Sequence, residues 1–156
     1  MNRYIALVSI LALGCAAALA QPVQTQYPRF QVISFNPVLL TQAGNPRLHA
    51  FKGWHNPATE IYDEMEGMRI GSHGIVDQRL TTYLEMDFWP VKADGFQYTE
   101  AQYLASQWHS PDGVDYAQVI RDYDLARKVD RGELDEVAIQ GAPYFGYWES
   151  TMAGYG

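Results

Sequence analysis

The alternation of apolar and polar positions along the chain predicts three β-strands. It is clearest in residues 79–91, RLTTYLEMDFWPV, where β-branched and aromatic side chains recur at every second position until Pro90. A period of two is typical of a strand. Shorter β-type runs at residues 32–35 and 134–140 predict the other two strands. The longest strand would carry Tyr83, Glu85, Asp87 and Trp89 on one face and Thr82, Leu84, Met86 and Phe88 on the other.

The segment after the first strand predicts a loop up to Gly53 and then an amphipathic helix that ends at Gly71. Asn56 and Pro57 are a typical helix start, because Asn caps the free backbone N–H groups and Pro fits the first helical position. Apolar side chains then recur near the helical period, which indicates a face turned toward a core. The apolar row consists of Ile61, Met65 and Met68.

Two further helices are predicted before the last strand. Thr99 and Gln102 have the spacing of a capping box, which predicts a short helix through Trp108. A longer helical period begins at Asp115, and Gly132 stands where a C-terminal cap is expected. Its apolar stripe consists of Tyr116, Val119, Ile120, Tyr123, Ala126 and Val129.

The order of these elements predicts an α/β fold. This order, which is strand, helix, strand, helices and strand, favours a small, mostly parallel sheet with helices packed on its faces. We expect one domain over residues 32–156, preceded by a flexible polar arm at residues 21–31, which contain two prolines. Three strands make a small sheet, so an alternative is that this domain is the N-terminal part of a larger one.

The first twenty residues predict a secretory leader. Arg3 precedes an apolar run that closes with the tripeptide ALA at residues 18–20, an Ala-x-Ala cleavage signal. The run is too short for a convincing membrane span. We therefore expect a secreted or periplasmic protein with no membrane insertion after leader removal. Lipidation at Cys15 is a disfavoured alternative, because Ala12 stands where a lipobox usually has Leu.

Composition narrows the class of partner. Cys15 is the only cysteine, so the chain after the leader can form neither a disulfide framework nor a thiolate zinc site. The formal net charge is −7 and Lys and Arg form no cluster. Phosphate backbones would be repelled, which argues against nucleic acid. A small-molecule or glycan ligand is the partner that we expect.

The stretch GAPYFGYWES, residues 141–150, predicts a ligand-binding loop. It follows the last strand, and ligands of parallel α/β sheets bind at the carboxyl ends of strands. Tyr144, Tyr147 and Trp148, together with Trp89, are candidate stacking faces for sugar rings. The alternative is that these rings only cover the end of the sheet as part of the core.

Carboxylates supply the candidate acid/base groups. Glu85 and Asp87 lie two positions apart on one strand face, and glycoside hydrolysis needs a pair of carboxyl groups with separated pKa values. Because neighbours on one strand are close together, a working pair would combine one of them with Glu149. Alternating polar residues on a half-exposed strand have the same appearance.

His73, in the glycine-flanked stretch GSHG at residues 71–74, is a candidate base or metal ligand. His49, His55 and His109 could join it, but no two histidines have HxH or HxxxH spacing. A structural or surface histidine is the alternative. No cofactor is expected, although a divalent metal is left open, and the chain has no P-loop, GxGxxG after a strand, or GxSxG motif.

Several segments resemble a group of secreted bacterial proteins whose activity is uncharacterised. The resemblance covers most of residues 32–156, and its last motif is the longest. Members of the group extend beyond the equivalent of Gly156 and often have an aromatic residue in place of Ala138. The resemblance implies no activity. Its motifs are WHNP (54–57), SHG (72–74), FWPVKADGFQYT (88–99), DGVDY (112–116) and VDRGELDEVAIQGAPYFGYWES (129–150).

Three functions are consistent with these patterns. The first is an exported hydrolase, acting on glycan or polysaccharide through Glu149 with Glu85 or Asp87. The second is a non-catalytic glycan-binding or envelope protein that uses the same aromatic rings. The third is a metal-dependent hydrolase built on His73.

Overall fold

A computed structural model describes residues 23–147 of the chain. The predicted leader, together with Trp148 and Glu149, lies outside these described residues. The described elements, in chain order, are β1 (Arg29–Phe35), α1 (Leu48–Lys52), α2 (Pro57–Gly71), β2 (Arg79–Met86), α3 (Glu100–Leu104), α4 (Tyr116–Asp122), α5 (Leu125–Asp130) and β3 (Glu136–Gly141).

The three strands form one parallel sheet with the order β2-β1-β3. Val32 in the middle of β1 pairs with Tyr83 on one side and with Ala138 on the other. The central strand is therefore covered at both edges and, from Phe30 onward, is buried. The predicted small parallel α/β sheet is confirmed.

Helices pack on both faces of the sheet because successive β1 side chains point in opposite directions. Phe30 and Val32 form a small cluster with Ile61 of α2. Ile33 and Phe35 point to the opposite face and belong to a larger cluster. This larger cluster also contains Tyr98, Tyr103, Val119, Leu125, Leu134 and Phe145.

The strand boundaries differ from those that the alternation predicts. β1 begins at Arg29, inside the segment expected to be a flexible arm. The guanidinium and backbone N–H of Arg29 both bind the Asp135 carboxylate, with the Nε–Oδ2 distance at 2.7 Å. This pairing lowers the pKa of Asp135 to about 2. It also fixes the start of β1 beside β3, which begins at Glu136 rather than at Leu134.

β2 ends at Met86, five residues before the predicted end of the strand. The chain bends at Asp87 and Phe88, and Trp89 then packs into the larger cluster. Tyr83 instead packs in the smaller cluster on the α2 face. The predicted common face of Tyr83, Glu85, Asp87 and Trp89 is therefore wrong beyond Glu85.

The helix predicted from Asp115 to Gly132 is two helices, α4 and α5. Asp124 between them has a left-handed backbone, with φ at 55°. This turn allows Leu125, which is outside the predicted stripe, to reach the core at 6% exposure. Gly132 does follow α5 with a positive φ of 65°, as expected for a residue after a helix end.

The other helix predictions are confirmed in part. The Asn56 side chain accepts a hydrogen bond from the Ala58 backbone N–H and caps α2. Ile61 is buried, but Met68 is exposed, so the core-facing row is shorter than the pattern predicts. The capping box of α3 is present, although the helix ends at Leu104 rather than at Trp108. Among residues 23–147, no helix has the length and apolar character to cross a membrane.

Candidate functional site

The helices that connect the strands divide between the two faces of the sheet. Between β1 and β2, Ile61 of α2 packs on one face, while Leu48 of α1 packs in the larger cluster on the other. Between β2 and β3 the chain passes through α4 and α5, which also pack in the larger cluster, and the segment after β3 stays on that face. A crevice opens where connections diverge in this way, and it is the usual ligand site of open α/β sheets. The paired strand ends here are Phe35 and Gly141.

A cleft of about 210 Å³ occupies this crevice. The strand ends form its floor, while α1 and the first turn of α2 form one wall and the segment after β3 forms the other. The lining residues are Ser34, Phe35, Asn36, Gln140 and Gly141 on the floor, and Leu48, His49, Trp54, His55, Pro57, Glu60, Ala142 and Pro143 on the walls.

Asn36, the first residue after β1, is the centre of a polar network beside this cleft. Its Oδ1 accepts a hydrogen bond from the His49 backbone N–H at 3.1 Å. Its Nδ2 lies 2.7 Å from both the Glu85 carboxylate and His49 Nδ1. Both N–H donors of the amide and one acceptor position of Oδ1 are therefore used, which fixes the Asn36 side chain in one orientation.

This network determines which nitrogen of His49 carries the proton. Because Asn36 Oδ1 accepts from a backbone N–H, the amide group facing the imidazole must be the donor Nδ2. His49 Nδ1 must then accept, and the neutral imidazole carries its proton on Nε2. His49 thus brings a hydrogen-bond donor to the wall of the cleft.

The floor of the cleft contains buried polar atoms without partners. The Ser34 residue is 1% exposed, and its hydroxyl has no hydrogen-bond partner among residues 23–147. The Gln140 side-chain oxygen is buried and unpartnered in the same way, although the amide nitrogen lies 3.4 Å from the Pro57 carbonyl. Unpaired buried polar groups are costly. Buried polar groups of this kind are usually paired by ordered water or by a polar ligand.

Tyr83 places a third buried polar atom, its hydroxyl, near Ser34. Burial raises the pKa of the Tyr83 phenol. The Ser34 hydroxyl opposes this shift, yet the two groups do not meet hydrogen-bonding geometry, and each remains unpaired within the described chain. The α2 face of the sheet is therefore polar near the end of β1.

The predicted carboxylate candidates Glu85 and Asp87 both bind Arg47. Arg47 Nε lies 3.2 Å from Glu85 Oε2, and Arg47 Nη1 lies 2.6 Å from Asp87 Oδ1. Glu85 also accepts from Asn36. Neither carboxylate is among the residues that line the cleft. Glu85 acts on the site through Asn36, which it helps to orient toward His49.

The predicted aromatic candidates separate into two groups. Trp89 and Tyr147 are packed inside, with the Trp89 ring 5.6 Å from that of Phe145 and the Tyr147 ring 5.8 Å from that of Phe35. Burial raises the pKa of the Tyr147 phenol. Tyr144 alone among the described candidates is exposed. The alternative that rings cover the end of the sheet accounts for Trp89 and Tyr147.

His73 lies at the opposite end of the sheet from the cleft. It follows α2, and the nearby Val76 bridges to Gln26, before β1. Glu85 pairs with Ser34, near the other end of that strand. At 3.3 Å per residue the two ends are roughly 25 Å apart, so His73 cannot share a site with Glu85 or Asp87. No three His, Cys, Asp or Glu side chains within residues 23–147 are placed to hold a metal ion.

Sequence reasoning missed the residues that form the cleft. Asn36 was predicted only to end a strand, and His49 only as a possible companion of His73. The available signal was their place in the chain: Asn36 directly follows the central strand, where a parallel sheet presents its ligand-binding residues. Ser34 gave no signal, because a short polar residue within a β-run is typical of a surface position.

The fold and cleft define a small parallel α/β domain with a polar site at its topological switch point. No protein-family model matches the chain, and neither the curated proteins nor the solved structures contain a significant match.

Proposed function

We propose that this protein binds a neutral, hydroxyl-rich ligand, a sugar residue of a glycan, in the cleft at the ends of β1 and β3. The carrying observation is the set of polar groups at this cleft. His49 Nε2–H can donate to an acceptor on the ligand, and a small movement of the Gln140 side chain would let its buried oxygen accept from a ligand hydroxyl. The Ser34 hydroxyl can act in either way. Sugar hydroxyls supply both donors and acceptors within one small ring.

The shape and charge of the cleft support a sugar over an anion. Trp54 is 41% exposed and supplies an aromatic face at the wall, and such a face can stack on the C–H surface of a sugar ring. Glu60 adds a carboxylate to the same wall. A phosphate or carboxylate ligand would be repelled there and by the acidic chain as a whole.

Catalysis remains a separate prediction. Glu85 and Asp87 are held by Arg47 and do not line the cleft, so the observations favour binding over hydrolysis by these two groups. The hydrolase hypothesis then depends on Glu149, which is outside the described residues. It predicts that Glu149→Gln abolishes the release of reducing ends from a polysaccharide. A chain with no such activity before the substitution would contradict that hypothesis and leave the binding proposal intact.

The donor role of His49 can be tested with two matched substitutions in the chain without its predicted leader. His49→Asn keeps an oxygen near the position of Nδ1, where it can accept from Asn36, but removes the donor at the ε position. His49→Gln places an amide near that ε position. We expect His49→Asn to weaken binding about 10-fold, the value of one hydrogen bond at 1.4 kcal/mol, and His49→Gln to retain more of the affinity.

The measurement is isothermal titration calorimetry with glucose, galactose and N-acetylglucosamine, and with trisaccharides of glucose and of N-acetylglucosamine. Far-UV circular dichroism confirms that each variant is folded. Binding of none of these sugars by the unaltered chain would contradict the proposal. Equal loss in both variants would show that His49 contributes packing rather than a donor.

A further inference from the structure

An exposed pair of stacked aromatic rings stands next to the cleft. The Tyr144 and Trp108 rings are parallel to within 11°, with their centroids 4.0 Å apart. Tyr144 is 47% exposed and Trp108 is 42% exposed. Most other aromatic rings of this half of the sheet are packed inside, so burial does not account for this pair.

The backbone holds Tyr144 in a conformation that tyrosine rarely adopts. Its φ is +64°, in the left-handed region, which is unfavourable for a residue with a Cβ atom. The Tyr144 carbonyl accepts a hydrogen bond from Lys92 Nζ. Lys92 is only 1% exposed and is also paired with Asp112. A buried ammonium group thus fixes an exposed, strained tyrosine, an arrangement that core packing alone does not require.

The stacked pair is continuous with the cleft. Pro143, which lines the cleft, is the residue before Tyr144. The Tyr103 hydroxyl donates a hydrogen bond to the Pro143 carbonyl at 2.9 Å, and the Tyr103 ring contacts Trp108 edge to face. One buried tyrosine therefore supports both the cleft wall and the exposed stack.

We infer that Tyr144 and Trp108 form a second sugar subsite, on which a glycan chain continues from the residue held in the cleft. This inference rests on the proposed function and deepens it, because it assigns an oligosaccharide rather than a free monosaccharide as the ligand. The outer ring faces stack on a neighbouring sugar, while the strained backbone keeps them at a fixed orientation to the cleft. The sugar on this subsite is neutral, because an anionic glycan would be repelled by the Glu60 carboxylate on the cleft wall and by the acidic chain.

The test compares the binding of a monosaccharide and of its trimer to the chain without its predicted leader and to three variants of it. The probes are N-acetylglucosamine and glucose with their β-1,4-linked trimers. Tyr144→Ala and Trp108→Ala remove the stack. Tyr27→Ala is the matched control, since Tyr27 is 49% exposed but lies before β1, at the other end of the sheet.

We expect the trimer to bind more tightly than the monosaccharide to the unaltered chain. Each stack variant should weaken trimer binding about 3- to 10-fold, as for loss of one aromatic stacking contact, and leave monosaccharide binding unchanged. Tyr27→Ala should alter neither. Chemical shifts of the Trp108 indole N–H should move with the trimer and not with the monosaccharide.

The outcomes separate this inference from the proposed function. Equal affinity for monosaccharide and trimer, or trimer affinity unchanged in both stack variants, would overturn the second subsite and leave the cleft as the binding site. Failure of every probe to bind the unaltered chain would overturn both. Loss of monosaccharide binding in Tyr144→Ala would overturn the second subsite, because the Tyr144 ring would then belong to the first subsite, in the cleft.

Discussion

The two faces of the sheet differ most where the strands end. On the face of α3, α4 and α5, Trp89, Tyr103 and Phe145 pack ring against ring, with centroids 4.9 to 5.6 Å apart. On the α2 face, the same end of the sheet carries the buried hydroxyl of Ser34 and the buried oxygen of Gln140 without partners. One face is a largely apolar core, in which the Tyr147 hydroxyl is the buried polar atom of the ring cluster without a partner among the described residues, and the other carries the polar cleft.

This difference separates stability from binding within one small sheet. Burial of large rings contributes free energy without directional requirements. Unpaired polar atoms reduce stability but give a ligand specific partners. We therefore expect substitutions on the aromatic face to change the free energy of unfolding, and substitutions on the polar face to change ligand affinity.

Phe145→Ala should have the largest effect on stability. Phe145 is fully buried at 0% exposure, and truncation of a buried Phe costs about 3–5 kcal/mol. Urea unfolding followed by circular dichroism measures the loss. Phe51→Ala is the control, because Phe51 is 44% exposed and its truncation should cost less than about 0.5 kcal/mol. Similar losses in both variants would mean that the aromatic face is not the main stabilising core.

Gly141→Ala should have the next largest effect, because Gly141 lies between the two regions. A Cβ atom there would stand 2.5 Å from the Tyr147 ring and 2.7 Å from the Phe145 ring. Overpacking of this kind costs about 1–3 kcal/mol. Gly67→Ala in α2 is the matched control, since its Cβ would meet nothing within 4 Å.

The control should change stability in the opposite direction. Alanine at Gly67, inside a helix, is expected to stabilise the protein by about 0.5–1 kcal/mol. The shift of the thermal midpoint checks both signs. A stable Gly141→Ala variant would show that the segment after β3 can move away from the sheet, and that the boundary between cleft and core is not fixed.

The aromatic face was the more predictable of the two regions. Tyr, Trp and Phe residues in strands and after strands indicate burial from their size alone, and Phe145 and Trp89 are packed as such residues usually are. The parallel sheet also followed from the order of the elements. The helix break at Asp124 could not be predicted, because a left-handed Asp depends on the tertiary contacts that bury Leu125.

The polar face was poorly predictable because its chemistry depends on contacts between distant residues. Asn36, His49 and Glu85 come from a loop, a short helix and a strand, and no motif spacing joins them. Alternation placed Glu85 and Asp87 on one face, but it could not reveal that Arg47 binds both. His73 attracted attention through the glycines around it, but Gly71 is the last residue of α2 and Gly74, with a φ of 78°, forms the turn that follows.

Glu85→Gln tests whether the polar network is structural. Glu85 is 28% exposed and accepts from both Arg47 and Asn36. Removal of the Glu85 charge should lower the free energy of unfolding by about 1.5 kcal/mol. This is the lower end of the range for hydrogen bonds to charged groups, because glutamine keeps one acceptor oxygen. Asp87→Asn is the matched control on the same Arg47, and at 65% exposure it should cost no more than about 0.5 kcal/mol. If Asp87→Asn destabilised the protein more than Glu85→Gln, the ion pair between Arg47 and Asp87, outside the network, would be the more important one.

Ser34→Ala should have the smallest effect on stability and a large effect on binding. The hydroxyl is buried without a partner, so its removal should change the free energy of unfolding by less than about 0.5 kcal/mol and can even stabilise the protein. Val32→Ala, on the same face of β1 and also buried, should cost about 1.5–3 kcal/mol.

The two variants should therefore differ in opposite ways: Val32→Ala should lower the free energy of unfolding, and Ser34→Ala should lower the affinity for sugar. Ser34→Ala should weaken sugar binding about 10-fold, as for loss of one hydrogen bond at 1.4 kcal/mol. Val32→Ala should leave affinity unchanged at a temperature where the variant is folded, because Val32 does not line the cleft. If Ser34→Ala destabilised the protein as much as Val32→Ala, the hydroxyl would be part of the core, and the polar face would have the same role as the aromatic one.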